Sequence, residues 1–166
     1  GLKILKKDFN KLEGKFDFIM FNHSFEHIEH PLEVMKQSNR LLSKNKFLLL
    51  RIPVADSYAF NYYKENWCSL DAPRHLFLHT KESIKILAQD SGFEIKKINY
   101  DSRSWQLWGS EQYSKNISLM DNRSYYVDPG KSIFTKEDIE KYEKQTKILN
   151  ENGEGDQAEF YLQKVK

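Results

Sequence analysis

Between Phe16 and Pro31 the chain reads FDFIMFNHSFEHIEHP, an apolar run followed by a polar turn holding Asn22, His23, Ser24, Glu26 and His27 before a proline. Imidazoles and a carboxylate crowded into one turn can bind a cation, move a proton or hold a polar ligand. A second group of the same kind stands at Asp71, Arg74 and His75, with Trp67 before it and His79 after it. A histidine there can act as a general base, because imidazole titrates near neutrality. Equally, Asp71 and Arg74 can form a structural pair while His75 caps the next helix. His23, His27 and His30 follow an i, i+4, i+7 spacing that on a helix would share a face and suit zinc. Pro31 opens the helix only after them, and neither a second ligand cluster nor an HExxH pattern is present, so no metal is expected.

The elements that must position these groups form a strand–helix–strand unit. Phe16 to Phe21 is apolar except for Asp17, as in a strand buried on both faces of a parallel sheet. From Pro31, the residues Val34, Met35, Ser38, Leu41 and Leu42 make one helical face. Ser43 to Lys46 reads as a polar turn, and Phe47 to Ile52 as a second buried strand closed by Pro53. Such a unit implies a parallel pair with a right-handed crossover. In α/β sheets ligands lie beyond the carboxyl ends of the strands, which is where both polar groups fall, although a histidine-rich surface loop is the bland reading of the first. Further along, Thr80 is an N-cap for a helix over Lys81 to Ser91 stopped by Gly92, and Phe93 to Tyr100 alternates as a strand. Thr135 caps a charged, solvated helix to about Leu149, a Gly-containing turn follows, and Ala158 to Val165 is a last strand. The stretch from Ser102 to Ser132, with Trp105, Trp108, Tyr125 and Tyr126, reads as a packed excursion.

Composition narrows the function class. With 166 residues, 39% apolar and 14% aromatic, the chain can bury one real core. A formal net charge of +2, with lysines scattered among acids, gives no push toward nucleic acid or a membrane surface. Cys68 is the single cysteine, so no intrachain disulfide forms and a reducing, cytoplasmic setting is expected. No apolar run approaches the length of a membrane span. The seven glycines, at 1, 14, 92, 109, 130, 153 and 155, make no Gly-rich phosphate or dinucleotide loop. A GxSxG elbow is also absent, which weighs against phosphoryl transfer and serine hydrolysis. A nucleotide-sugar enzyme would need a diphosphate-holding metal or basic site, and no clear one is evident.

Phe16-Asp17-Phe18-Ile19, then His23-Ser24-Phe25-Glu26-His27-Ile28, Pro31, Arg40-Leu41-Leu42 and a strand ending at Pro53 resemble the second half of class I S-adenosylmethionine (SAM)-dependent methyltransferases. Trp67 to His79 and Ser91-Gly92-Phe93 resemble a small-molecule branch of that superfamily, and Gly155 to Lys164 resembles its last, antiparallel strand. The resemblance implies an α/β fold: a partial Rossmann-like, doubly wound mixed sheet of about four strands, as a single domain over 1–166. Residues 102–156 would be a helical or irregular insertion. It implies SAM as cofactor and a small-molecule methyl acceptor. By position, Asp8 and Phe9 match the segment that contacts adenine, and Asn22 and His23 the segment beside the methionine end. His75 is the first candidate for a base, Arg74 for orienting an anionic substrate group, and Trp67, Trp105 and Trp108 for walls of an acceptor pocket.

The family's first strand, its Gly-rich loop and the acidic residue that holds the ribose have no match. The expectation is therefore a C-terminal half of a longer methyltransferase, inactive and poor at binding SAM when alone. The alternative is a non-catalytic interaction or structural module on the same half-sheet. In the family's order the strand at 16–21 adjoins the unmatched first strand. It is thus expected to be an apolar edge that pairs with Leu2 to Leu5 or self-associates.

Overall fold

The computed structural model describes residue 4 and residues 6–165. Of the segment Leu2 to Leu5, whose pairing was expected, all but residue 4 lies outside those residues. Strand β1 (Phe16–Asn22), helix α1 (Pro31–Leu41) and strand β2 (Leu42–Pro53) form the anticipated unit, with β1 and β2 parallel. Proline at the first position of α1 removes an N–H that would have had no partner. The helix buries Val34, Met35, Ser38 and Leu41.

Beyond β2 come α2 (Tyr58–Tyr63), α3 (Lys81–Asp90), β3 (Phe93–Tyr100), α4 (Trp105–Ser114), α5 (Lys136–Glu151) and β4 (Gln157–Lys164). The sheet order is β1-β2-β4-β3, with β4 antiparallel to both of its neighbours. This is a mixed α/β sheet of four strands, as expected. Thr80 and Thr135 both cap as expected, each through a reciprocal capping box, with Ser83 and Asp138 respectively. Gly92 stops α3 with φ of 78°.

Two details differ from the sequence reading. Ser43 to Lys46 is not a turn between elements but part of β2. Phe16 pairs with Leu42 while Phe18 pairs with Phe47, so the polar residues between are bulged out of the ladder, helped by Asn45 at φ 63°. Second, β1 is not buried on both faces. Ile19 and Phe21 point toward α1 and α3, into a core with Leu48, Leu50, Phe160 and Leu162. Phe16, Phe18 and Met20 point to the opposite face and remain 41%, 51% and 54% exposed. Phe18, Met20, Phe47, Leu49 and Tyr161 share that face by register and belong to neither core cluster. Among the described residues the main core is covered by α1 and α3 on the other face of the sheet.

A second core cluster gathers Ala55, Ala59, Tyr63, Trp67, Cys68, Leu107 and Leu149 from α2, α4, α5 and the segments between them. It is continued by edge-on aromatic contacts from Trp105 to Trp108, Tyr125, Phe134 and Tyr142. The stretch from Ser102 to Ser132 is thus packed. Buried Gln112 holds its loop, donating to Ser124 Oγ at 3.1 Å and accepting from the Tyr125 N–H at 2.7 Å.

Candidate active site

Past the carboxyl ends of β1 and β2 lies a cleft of about 700 Å³. Its walls come from the turn after β1, from the 68–75 segment, from the start of α4 and from the entry to β4. This is the side of the sheet, beyond the carboxyl ends of its strands, at which ligands of α/β folds bind.

The first wall begins where His23 continues the sheet, its N–H donating to the Arg51 carbonyl at 2.9 Å. His23 then takes φ of 47°, a left-handed conformation uncommon outside glycine, and turns the chain into a single 3-10 turn at Phe25–His27. Arg51 Nη1 lies 3.1 Å from Asn22 Oδ1 and 2.7 Å from His23 Nε2, while its Nε pairs with Asp101 at 2.6 Å. A guanidinium only donates, so His23 accepts at Nε2 and carries its proton on Nδ1. That N–H faces Glu26 Oε1 at 3.7 Å.

Glu26 is 1% exposed, and neither carboxylate oxygen has a hydrogen-bond partner. Burial pushes its carboxyl up. The neighbouring His23 and His75 imidazoles act downward and prevail, leaving it below the ordinary carboxylate value.

The second wall is laced to the first. The Leu76 N–H donates to the Glu26 carbonyl at 2.9 Å, and His27 Nδ1 donates to the Arg74 carbonyl at 2.7 Å. His75 Nδ1 donates to the Ser69 carbonyl at 2.8 Å, so its Nε2 lone pair points inward, 3.7 Å from Asp71 Oδ2 and 3.9 Å from Glu26 Oε1. Arg74 and Asp71 form the two-pronged pair foreseen as the structural alternative, at 3.1 and 2.5 Å. His75 caps no helix; Thr80 does.

Trp105 and Trp108 line the cleft. Gly109 is required beside Trp105, since a Cβ there would clash with the Trp105 ring. Trp67 is not a wall but a core residue, 1% exposed, whose indole N–H donates to Asp156 Oδ2 at 2.9 Å. Burial pushes the Asp156 carboxyl up, against hydrogen bonds from Trp67, Ser102 and Ser69. Burial also pushes up the Cys68 thiol at the cleft wall, which makes it inert as a nucleophile.

The structure thus brings His23, Arg74 and His75 to one cleft. Asp8 and Phe9 stand apart from it: Asp8 caps the short turn Phe9–Lys11, and Phe9 packs edge-on against Phe21. One residue of the site had not been singled out, Arg51, and Glu26 had been named only as a member of the polar turn. The signal for Arg51 was a lone charge near the carboxyl end of an apolar strand, LLLRIP.

A methyltransferase-domain family profile matches residues 3–98, more than half of the chain. The chain belongs to this family. No curated protein matches the sequence of this methyltransferase domain. Its fold is shared with a SAM-dependent methyltransferase from Thermotoga maritima, at TM-score 0.59 and 16% identity over 99% of this chain and 65% of that one. A second from Archaeoglobus fulgidus aligns at TM-score 0.53 and 16% identity, over 97% and 66%. A mycolic acid cyclopropane synthase, solved with S-adenosylhomocysteine, aligns at TM-score 0.52 and 16% identity, over 96% and 59%. The methyltransferase domain described here therefore spans about two thirds, or less, of these solved chains.

The family implies SAM, and the residues present fit it only in part. Asn22 and His23 stand at the strand end, but their acceptor atoms are engaged by Arg51. None of the glycines lies in the turn that follows β1, and Asp8 and Phe9 are outside the cleft. The methyltransferase domain as described does not by itself make a full cradle for the cofactor.

Proposed function

We propose that this chain forms the acceptor side of a longer SAM-dependent methyltransferase acting on a small molecule. The observation that carries this reading is the titratable, aromatic-walled cleft at the strand ends of a methyltransferase sheet. The open apolar face of β1 supports it, being a surface that further sheet and helix would cover. SAM, held mainly by that other part, supplies a methyl group on a sulfonium.

The chain's own residues then bind and orient the acceptor. Trp105 and Trp108 offer flat apolar walls, and Arg74, exposed at the rim, presents guanidinium N–H groups to an anionic substituent. His75 Nε2 takes the proton that an acceptor O–H or N–H must lose. The imidazolium so formed is stabilised by Glu26 and Asp71, both within 4 Å. In the full-length enzyme His75→Ala lowers kcat by about 10²- to 10⁴-fold for an acceptor that must lose a proton. Unchanged turnover removes the base assignment.

The reading as a whole is tested by sequencing the coding region upstream of the Leu2 codon. An open frame with an apolar strand, a Gly-rich turn and an acid ending the next strand supports it. A start codon with nothing upstream favours the non-catalytic module. The isolated chain is expected to self-associate through β1, giving a mass in light scattering that rises with concentration. Phe18→Lys or Met20→Lys, each placing a charge on the half-exposed face, returns it to a monomer. A wild-type monomer at all concentrations argues against the open edge as a contact surface.

A further inference from the structure

Three lone-pair donors converge at the junction of the two cleft walls, with nothing between them to satisfy them. The ligand atoms of Glu26, His27 and His75 all lie within 4.8 Å of one another. Both histidines spend Nδ1–H on backbone carbonyls, His27 on Arg74 and His75 on Ser69. This fixes the tautomer and leaves each Nε2 an acceptor, the arrangement that orients imidazoles toward a metal. The third donor is the most telling. Glu26 is buried with both oxygens unpartnered, and a polar group left so costs stability unless something fills the gap. His23 Nδ1 stays 3.7 Å from Glu26 Oε1, and Asp71, 3.7 Å from His75 Nε2, adds another acceptor rather than a donor.

We propose that Glu26, His27 and His75 form a binding site for a divalent first-row transition-metal ion. Two imidazoles and one carboxylate suit zinc, manganese, iron(II) or cobalt, and disfavour magnesium and calcium, which prefer all-oxygen shells. Donors each about 2.1 Å from a common ion stand roughly 3 to 3.5 Å apart, so closing the cluster needs side-chain movements of about 1 Å. His27 is exposed and His75 borders the cleft, so both can move. Three protein ligands leave coordination positions open toward the cleft, where an acceptor oxygen or nitrogen can bind and lose its proton more readily. With the ion in place the His75 lone pair is a ligand, and its role as base belongs to the ion-free site. The metal site does not depend on methyl transfer being the reaction, and its test uses no methyl donor.

The chain, stripped with chelator and desalted, is titrated with Co²⁺ alone while the visible d–d bands and the heat of binding are followed. The expected result is one equivalent bound, with bands displaced by Zn²⁺, and a thermal transition raised by the ion. Glu26→Gln and His75→Gln each weaken binding about 10-fold or more, and His30→Gln, on a histidine outside the cluster, leaves it unchanged. Should the buried variants fail to fold, His27→Gln, at an exposed position, carries the same expectation. Absence of saturable uptake, or uptake that Glu26→Gln, His27→Gln and His75→Gln leave intact, overturns the site.

Discussion

Trp67→Ala lowers the free energy of unfolding by about 4 kcal/mol, a large share of the stability of an ordinary domain. Removing the indole opens a cavity in the cluster of Ala59, Tyr63, Leu107 and Leu149. It also strips Asp156, buried just before β4, of the 2.9 Å hydrogen bond from the indole N–H. Asp156 keeps only Ser69 Oγ at 3.2 Å and Ser102 as side-chain partners. Trp67→Phe separates the two losses, because it keeps most of the ring and removes the N–H, at about 1 to 3 kcal/mol. Equilibrium urea denaturation reads both. The effect reaches the cleft, since Ser69 offers its hydroxyl to Asp156 and its carbonyl to His75 Nδ1. Losing the indole therefore loosens the residue that sets the His75 tautomer. A cost below about 1 kcal/mol for Trp67→Ala would show that this second cluster does not support the fold.

The parts of the fold legible in the sequence were those fixed by local chemistry. Thr80 and Thr135 announced their helices, Pro31 and Gly92 marked a start and a stop, and the alternation of Phe93 to Tyr100 matched β3 residue for residue. Ser43 to Lys46 misled because a bulge and a turn use the same polar residues, and only the β1–β2 register tells them apart. Helix α2 is six residues long and lies among aromatics, too short to show a period. The uncovered face of β1 was hidden for another reason. An apolar run predicts burial, whereas exposure depends on which other elements are there to cover it. At the site, His23, Arg74 and His75 were visible by type and by position after strands. The convergence of Glu26 with His27 and His75 was not, because it depends on the Leu76 to Glu26 backbone bond joining segments far apart in sequence. Neither spacing nor periodicity carries that information.

Acidification from pH 6.5 to 4 destabilises the fold by roughly 3 kcal/mol through His79 alone. This imidazole is 4% exposed, packed between Phe25 and Phe77 at ring distances of 5.2 and 5.7 Å, and its Nε2 has no partner. Burial pushes its pKa down from 6.5 to about 4, and the opposing charge of Glu26 recovers little of that. Its folded pKa is therefore depressed. Between the two values the unfolded chain binds a proton that the folded chain refuses, so stability falls as pH falls through this window and levels off below about pH 4. His79→Phe fits the same aromatic sandwich without a titratable nitrogen. At pH 7.5 it is expected to be at least as stable as wild type, since an unsatisfied buried atom is removed. The measurement is urea denaturation of both proteins across that pH range with chelator present, so that no metal at the neighbouring cluster contributes. A wild-type curve running parallel to that of His79→Phe would mean that His79 gains its proton in the folded state as easily as in the unfolded one.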